Sequence, residues 1–157
     1  KDNEKIIITI GSAEKNFLPQ NPLTAGERFQ LIEAALKEAK IPTDQFCIIP
    51  VRNVNNFALW VNHINMYVPP YTKIYTGSEI VKACYDGQHH EKGPTVIQVE
   101  REVKVSATKI REAIMNSNEW EDLVPKAVAN LLKKWEISKR IKTIHGTMDL
   151  TKYNNLY

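Results

Sequence analysis

Long apolar runs are absent from this 157-residue chain. A membrane-crossing helix needs about 20 consecutive apolar residues, and no stretch approaches that, so no membrane span is expected. The opening Lys1-Asp2-Asn3-Glu4-Lys5 is charged and leads straight into Ile6. It lacks the apolar core and small-residue cleavage site of a secretory leader, and a cytoplasmic protein is expected. Cysteine is scarce: Cys47 and Cys84 have neither the density nor the spacing of a disulfide framework or zinc site, and read as reduced, buried packing residues. Charge of one sign is also lacking. Lys and Arg total 21 against 18 Asp and Glu, net +3, too small an excess to imply nucleic acid as a partner. The densest basic stretch, Lys133, Lys134, Lys139, Arg140 and Lys142, falls near the end of a helical stretch and reads as a solvated face. His63, His89, His90 and His145 show no HExxH or HxH spacing, so none is assigned to a metal; His89-His90 reads as an exposed loop. No GxSxG supports serine-hydrolase chemistry. Repeats, low-complexity tracts and linkers are missing too, and residues 1–157 read as one domain, with 143–157 as a possible tail that carries no interpretable pattern.

What is present is an alternation of strands and helices. Ile6-Ile7-Ile8-Thr9-Ile10, closed by Gly11-Ser12, reads as a strand buried on both faces, the kind found in parallel sheets. Thr24 and Glu27 form a capping box for a helix over 25–40, with Phe29, Ile32, Leu36 and Ala39 on one face. Pro42-Thr43-Asp44 breaks it, and 46–51 supplies the strand that a βαβ crossover requires. A helix around 59–64 is stopped by Pro69-Pro70; a strand at 73–76, a helix at 79–85 and a strand at 95–99 follow. Ser106 caps a helix to Met115, and Asn118 with Glu121 marks the start of another. The fold expected is α/β: a doubly wound parallel sheet with helices on both faces and a helical C-terminus.

In such sheets ligands bind outside the carboxyl ends of strands, which directs attention to Gly11-Ser12, residues 52–60, Thr76-Gly77 and residues 106–111. In Ser106-Ala107-Thr108-Lys109-Ile110-Arg111 a capping hydroxyl, a second hydroxyl and a guanidinium meet the exposed N–H groups of a helix start, where a phosphate chain could sit. The same residues also fit a plain cap and a solvated cation. Arg28 stands on the first turn of its helix, where a cation is unfavourable unless something negative is near; a bound anion or a neighbouring carboxylate such as Glu27 would answer. Trp60, preceded by Asn53, Asn55 and Asn56, fits an aromatic platform with amide partners, and fits core packing equally.

Ile10-Gly11-Ser12-Ala13, Asn21-Pro22-Leu23-Thr24-Ala25-Gly26-Glu27-Arg28, Leu59-Trp60-Val61, Pro69-Pro70, Tyr75-Thr76-Gly77, residues 106–111 and Trp120-Glu121-Asp122-Leu123-Val124-Pro125-Lys126-Ala127-Val128 resemble the archaeal nicotinamide-nucleotide adenylyltransferases in order and spacing. The resemblance implies a Rossmann-like nucleotidyltransferase fold, transfer of AMP from ATP to nicotinamide mononucleotide (NMN) giving NAD and pyrophosphate, Mg²⁺ accompanying ATP, and a homo-oligomer. It implies an ATP site of Gly11, Ser12, Arg28, Gly77, Ser106, Thr108 and Arg111, with Arg28 and Arg111 catalytic, and an NMN site of Asn53, Asn56 and Trp60. Members of that family begin with a strand, a Gly-Arg-Phe-Gln-Pro-Phe-His-x-Gly-His segment and a helix, which this sequence does not contain. Truncation is expected rather than natural loss, because the sheet would otherwise lack a central strand and leave apolar faces uncovered. Phe57 stands where the family has Asn, Asn53 where it has Asp, and Ser78-Glu79 where it has Asn-Pro, all of which bear on the choice of acceptor. Alternatives are transfer to another phosphorylated acceptor, such as flavin mononucleotide (FMN) or phosphopantetheine, and a non-catalytic nucleotide-binding protein.

Overall fold

A computed structural model describes residues 5–87, 93–100 and 103–147. Two parallel βαβ units carry the architecture. In the first, β1 (Ile6–Ile10) pairs with β2 (Phe46–Pro50), Ile6 opposite Phe46 and Ile10 opposite Pro50. Parallel neighbours cannot be joined by a tight turn, and α1 (Ala25–Glu38) makes the crossover. After α2 (Phe57–Asn65), β3 (Lys73–Thr76) and β4 (Thr95–Gln98) form the second pair, Lys73 opposite Thr95, with α3 (Glu79–Asp86) in the connection. Then come α4 (Ala107–Met115), α5 (Lys126–Lys134) and α6 (Ile137–Thr147). Among the described residues the strands hydrogen bond as two separate pairs, β1–β2 and β3–β4.

The first helix begins where its capping box requires. Glu27 N donates to Thr24 Oγ1 at 3.1 Å and Thr24 N donates to Glu27 Oε2 at 2.9 Å. Phe29, Ile32 and Leu36 pack on Ile10, Phe46 and Ile48, while Leu31 and Ala35 pack on a second cluster built from Ile114, Trp120, Val128, Ala129, Leu132, Ile137 and Ile141. Thus α1 is the wall shared by the first strand pair and the C-terminal helices. Its last residue also caps a distant element. Helix α5 starts after Pro125 without a side-chain cap of its own; Lys126 N and Ala127 N donate to the two carboxylate oxygens of Glu38 at 3.2 and 2.6 Å.

Several sequence expectations are corrected. Strand β1 is not buried on both faces: Ile6 is 53% exposed and Ile10 is its one buried residue, because α1 covers only the side and end that Ile8 and Ile10 present. Asn118 and Glu121 do not open a helix. Residues Glu121–Leu123 form a single 3₁₀ turn, and α5 begins at Lys126. The basic stretch is divided: Lys133 and Lys134 end α5, whereas Lys139, Arg140 and Lys142 lie on α6. A left-handed Glu136, φ 49°, breaks the two helices apart. Residues 143–147 of the supposed tail belong to α6; 148–157, like His89 and His90, lie outside the described residues. Cys47 and Cys84 are unpaired as expected but half-buried rather than buried. No helix among the described residues is long and apolar enough to cross a membrane.

Candidate active site

The β1–β2 pairing continues past both strands. Val51 N donates to Ile10 O at 2.9 Å and Ala13 N donates to Val51 O at 3.0 Å. These bonds hold the Gly11–Ser12 loop beside the loop that follows β2. Between them and the start of α2 lies an open cleft of about 720 Å³, lined by Thr9, Gly11, Ser12, Lys15, Val51, Arg52, Asn53, Asn55, Asn56, Phe57, Trp60 and Ile64. Phe57, Trp60 and Ile64 are spaced three and four apart, one face of α2. Lys15 and Arg52 are the charged residues of this lining, and two cations in it favour an anion.

Gly11 carries no steric demand from the protein: a Cβ there would meet nothing within 4 Å. Its lack of a side chain keeps the cleft side of the loop open. Ser12, at φ 50°, and Asn55, also at φ 50°, hold the left-handed conformation that only glycine adopts without cost, and asparagine tolerates better than serine. Both are in the cleft lining.

Arg28 lies behind this loop rather than in the cleft. Its Nη1 donates to Gly11 O at 2.9 Å, and its Nη2 donates to Ser12 O at 2.9 Å and Lys15 O at 3.2 Å. A cation near a helix start is therefore answered by three backbone carbonyls, a partner set that spacing could not reveal. Burial pulls the guanidinium below its ordinary pKa, and Glu14 partly offsets this; the group stays cationic at any physiological pH. Glu14 in turn receives Asn53 N at 3.0 Å and ties the two cleft loops together. Glu27 pairs not with Arg28 but with Arg140 of α6, at 2.8 Å.

The amides are partly committed. Asn53 Oδ1 accepts from Asn55 N, and Asn56 Oδ1 accepts from Ala58 N, each at 3.0 Å; Asn56 is the N-cap of α2. A backbone N–H requires an acceptor, which fixes these amides' orientation and leaves their NH₂ groups to offer a ligand. His63 Nε2 donates to Arg52 O at 2.8 Å and fastens the loop to α2. Trp60 is half-buried, its ring edge-to-face with Tyr85.

The structure thus brings Gly11, Ser12, Asn53, Asn56 and Trp60 into one cleft, with Arg28 supporting its floor loop. Ser106, Thr108, Arg111 and Gly77 do not line that cleft. Ser106 Oγ accepts from Lys109 N at 3.2 Å as the cap of α4, and Arg111 Nη2 donates to Thr108 Oγ1 at 3.1 Å. Burial lowers the Arg111 pKa, with Glu112 opposing. Gly77 follows β3, where a Cβ would stand 3.2 Å from Val99 O. Two lining cations carry no signal in the sequence that sets them apart: Lys15 sits in a polar loop with no distinguishing pattern, and Arg52 falls in the window after β2 beside the asparagines.

Parallel βαβ units with an anion-favouring cleft at the strands' carboxyl ends define the class: an α/β protein of the Rossmann-like kind, with a candidate ligand cleft where that class holds its ligands. A cytidylyltransferase-like family model matches residues 1–113. A nicotinamide-nucleotide adenylyltransferase of Pyrobaculum arsenaticum is 37% identical, over 91% of this chain and 80% of its own length. One of Methanococcus aeolicus is 33% identical over 90% and 80%. The crystal structure of a bifunctional NMN adenylyltransferase/ADP ribose pyrophosphatase from Francisella tularensis superposes with a TM-score of 0.70 at 19% identity, over 91% of this chain and 44% of that one, a likeness of fold. The chain belongs to the nicotinamide-nucleotide adenylyltransferases, within the cytidylyltransferase-like family.

Proposed function

We propose that this protein transfers AMP from ATP to NMN, giving NAD and pyrophosphate, with the acceptor in the cleft between β1, β2 and α2. The observation that carries this reading is the cleft itself, with an indole, amide donors and two cations in one lining: a flat heteroaromatic ring suits Trp60, the Asn53 and Asn56 amides suit ribose hydroxyls, and Lys15 and Arg52 suit a phosphate. The family of the relatives and their names supply the reaction.

The chemistry needs no covalent intermediate. An oxygen of the NMN phosphate attacks the α-phosphorus of ATP in line, one P–O bond forms, the bond to the β-phosphate oxygen breaks, and pyrophosphate leaves. Positioning and charge neutralisation do most of the work. In this proposal Ser106, Thr108 and Arg111 hold ATP phosphates at the start of α4, Gly11, Ser12 and Gly77 complete the ATP site, and Arg28 acts by keeping the Gly11–Ser12 loop in place. Among the described residues no three His, Cys, Asp or Glu are grouped to hold a metal. A divalent ion, proposed to be Mg²⁺, would come with the triphosphate and would supply charge neutralisation there, a role suited to a hard cation with oxygen ligands. A single domain over residues 1–157, a homo-oligomeric assembly and a cytoplasmic location belong to the same proposal.

The test is pyrophosphate release with ATP and Mg²⁺, comparing NMN with nicotinate mononucleotide, FMN and phosphopantetheine. Fastest turnover with NMN is the expected result. Turnover with FMN or phosphopantetheine in its place would move the acceptor. Binding of ATP and NMN without pyrophosphate release from any of the four would make the protein a nucleotide binder.

A further inference from the structure

Against Trp60, among residues that do not line the cleft, stands a closed loop of contacts that the reaction chemistry does not use. Tyr85, near the end of α3, is only 8% exposed, and its ring meets the Trp60 indole edge to face, centroids 6.2 Å apart and planes at 87°. Its hydroxyl lies 2.9 Å from Tyr71 Oη, and Tyr71 Oη donates to Asn65 Oδ1 at 2.5 Å. A phenol has one proton to give. Since Tyr71 gives its proton to Asn65, it accepts from Tyr85, and the direction of the whole chain is set. The Tyr71 and Tyr85 rings are themselves edge to face at 6.5 Å and 81°. Asn65 is the last residue of α2, the helix that carries Trp60, so the path leaves α2 through the indole and returns through the amide.

This arrangement does more than fill space. A half-buried indole on a helix face retains a choice of rotamer and tilt, and stacking a flat ring depends on its plane. The edge of Tyr85 restricts that plane, and two directional hydrogen bonds restrict Tyr85. Burial raises the Tyr85 pKa well above the usual phenol range, with Tyr71 contributing, so the donor stays protonated at working pH. We propose that Tyr85, anchored by Tyr71 and Asn65, is a positioning residue that fixes the plane of the Trp60 indole for the ring of the acceptor nucleotide. The proposal rests on the reading of Trp60 as the acceptor's platform.

Calorimetric titration of the full chain with NMN and, separately, with ATP tests it. Tyr85→Leu is expected to weaken NMN about three- to tenfold while ATP changes less than twofold, and to add nothing in a Trp60→Ala background, because both changes remove the same device. Tyr71→Phe, which keeps both rings and removes the hydroxyl, is expected to weaken NMN about twofold and leave ATP unchanged. Unchanged NMN affinity in Tyr85→Leu, equal weakening of both ligands, or a full additional loss in the Trp60→Ala background would each overturn the proposal. Where Tyr85→Leu fails to fold by circular dichroism, Tyr71→Phe decides, and unchanged NMN affinity there overturns it. Weaker NMN binding in Trp60→Ala together with no effect of Tyr85→Leu or Tyr71→Phe sinks the positioning role alone; unchanged NMN binding in Trp60→Ala sinks the platform reading beneath it.

Discussion

Two glycines and two arginines of the candidate site differ, residue by residue, in how far packing holds them. An alanine methyl at Gly77 would press on Val99 O at 3.2 Å, whereas one at Gly11 meets nothing within 4 Å. Gly77→Ala is therefore expected to cost about 1 kcal/mol or more in denaturant unfolding, and Gly11→Ala less than about 0.5 kcal/mol, while Gly11→Ala weakens nucleotide binding by standing beside the cleft. The arginines divide likewise. Arg28 holds three carbonyls of the cleft loop, and Arg28→Lys keeps the charge but loses the fork, with an expected stability loss of about 1–3 kcal/mol. Among the described residues Arg111 donates to the exposed Thr108 hydroxyl. Arg111→Ala is expected to shift the unfolding midpoint little and to lower turnover by about a hundredfold or more; near-normal turnover would remove Arg111 from the ATP site.

Among the elements, α5 depends on a partner outside itself. Pro125 at its N-cap has no side chain able to accept from the helix N–H groups, and Glu38 at the end of α1 receives two of them. Replacing Glu38 with Ala leaves those donors to water and is expected to cost about 1 kcal/mol, read as a lower denaturant midpoint with an unchanged slope. An unchanged midpoint would mean that Lys126 and Ala127 find water at no loss. The start of α1, by contrast, is written locally, because Thr24 and Glu27 are three residues apart and satisfy each other.

Across the molecule, one path links the C-terminal helix to the cleft. Arg140 of α6 pairs with Glu27 at 2.8 Å and covers the Phe17 ring at 5.0 Å; Glu27 closes the capping box of α1, and the next residue, Arg28, holds the Gly11–Ser12 loop. Burial pushes the Glu27 carboxyl up, but the Thr24 backbone bond and the Arg140 guanidinium outweigh it, and the net pKa lies below the ordinary 4.5. A carboxyl depressed in the folded state stabilises fully above its unfolded value and loses that contribution as pH falls through the folded one. Stability is thus expected to decline as pH drops below about 4.5, and Glu27→Gln to flatten part of that decline in acid titrations followed by circular dichroism. An identical acid limb in the variant would show that Glu27 does not contribute to it.

Local order was legible in the residues themselves. Apolar periods of two and near four, capping hydroxyls at Thr24 and Ser106 and breakers such as Pro42 act over a few positions, so β3 and α4 fall where the pattern places them, and the candidate site was legible to the extent that Gly11, Ser12, Asn53, Asn56 and Trp60 follow strand ends or share a helix face. Tertiary structure alone decided the rest. The carbonyls around Arg28, the Glu38 cap 88 and 89 positions from its donors, the Tyr85 edge on Trp60 and the exposure of β1 all depend on which surfaces meet, and contacts between distant residues leave no period in the chain. Hydrogen-bond direction and burial are properties of the assembled neighbours, so the sequence determines which groups are offered and the packing determines which of them are answered by protein and which are left to a ligand.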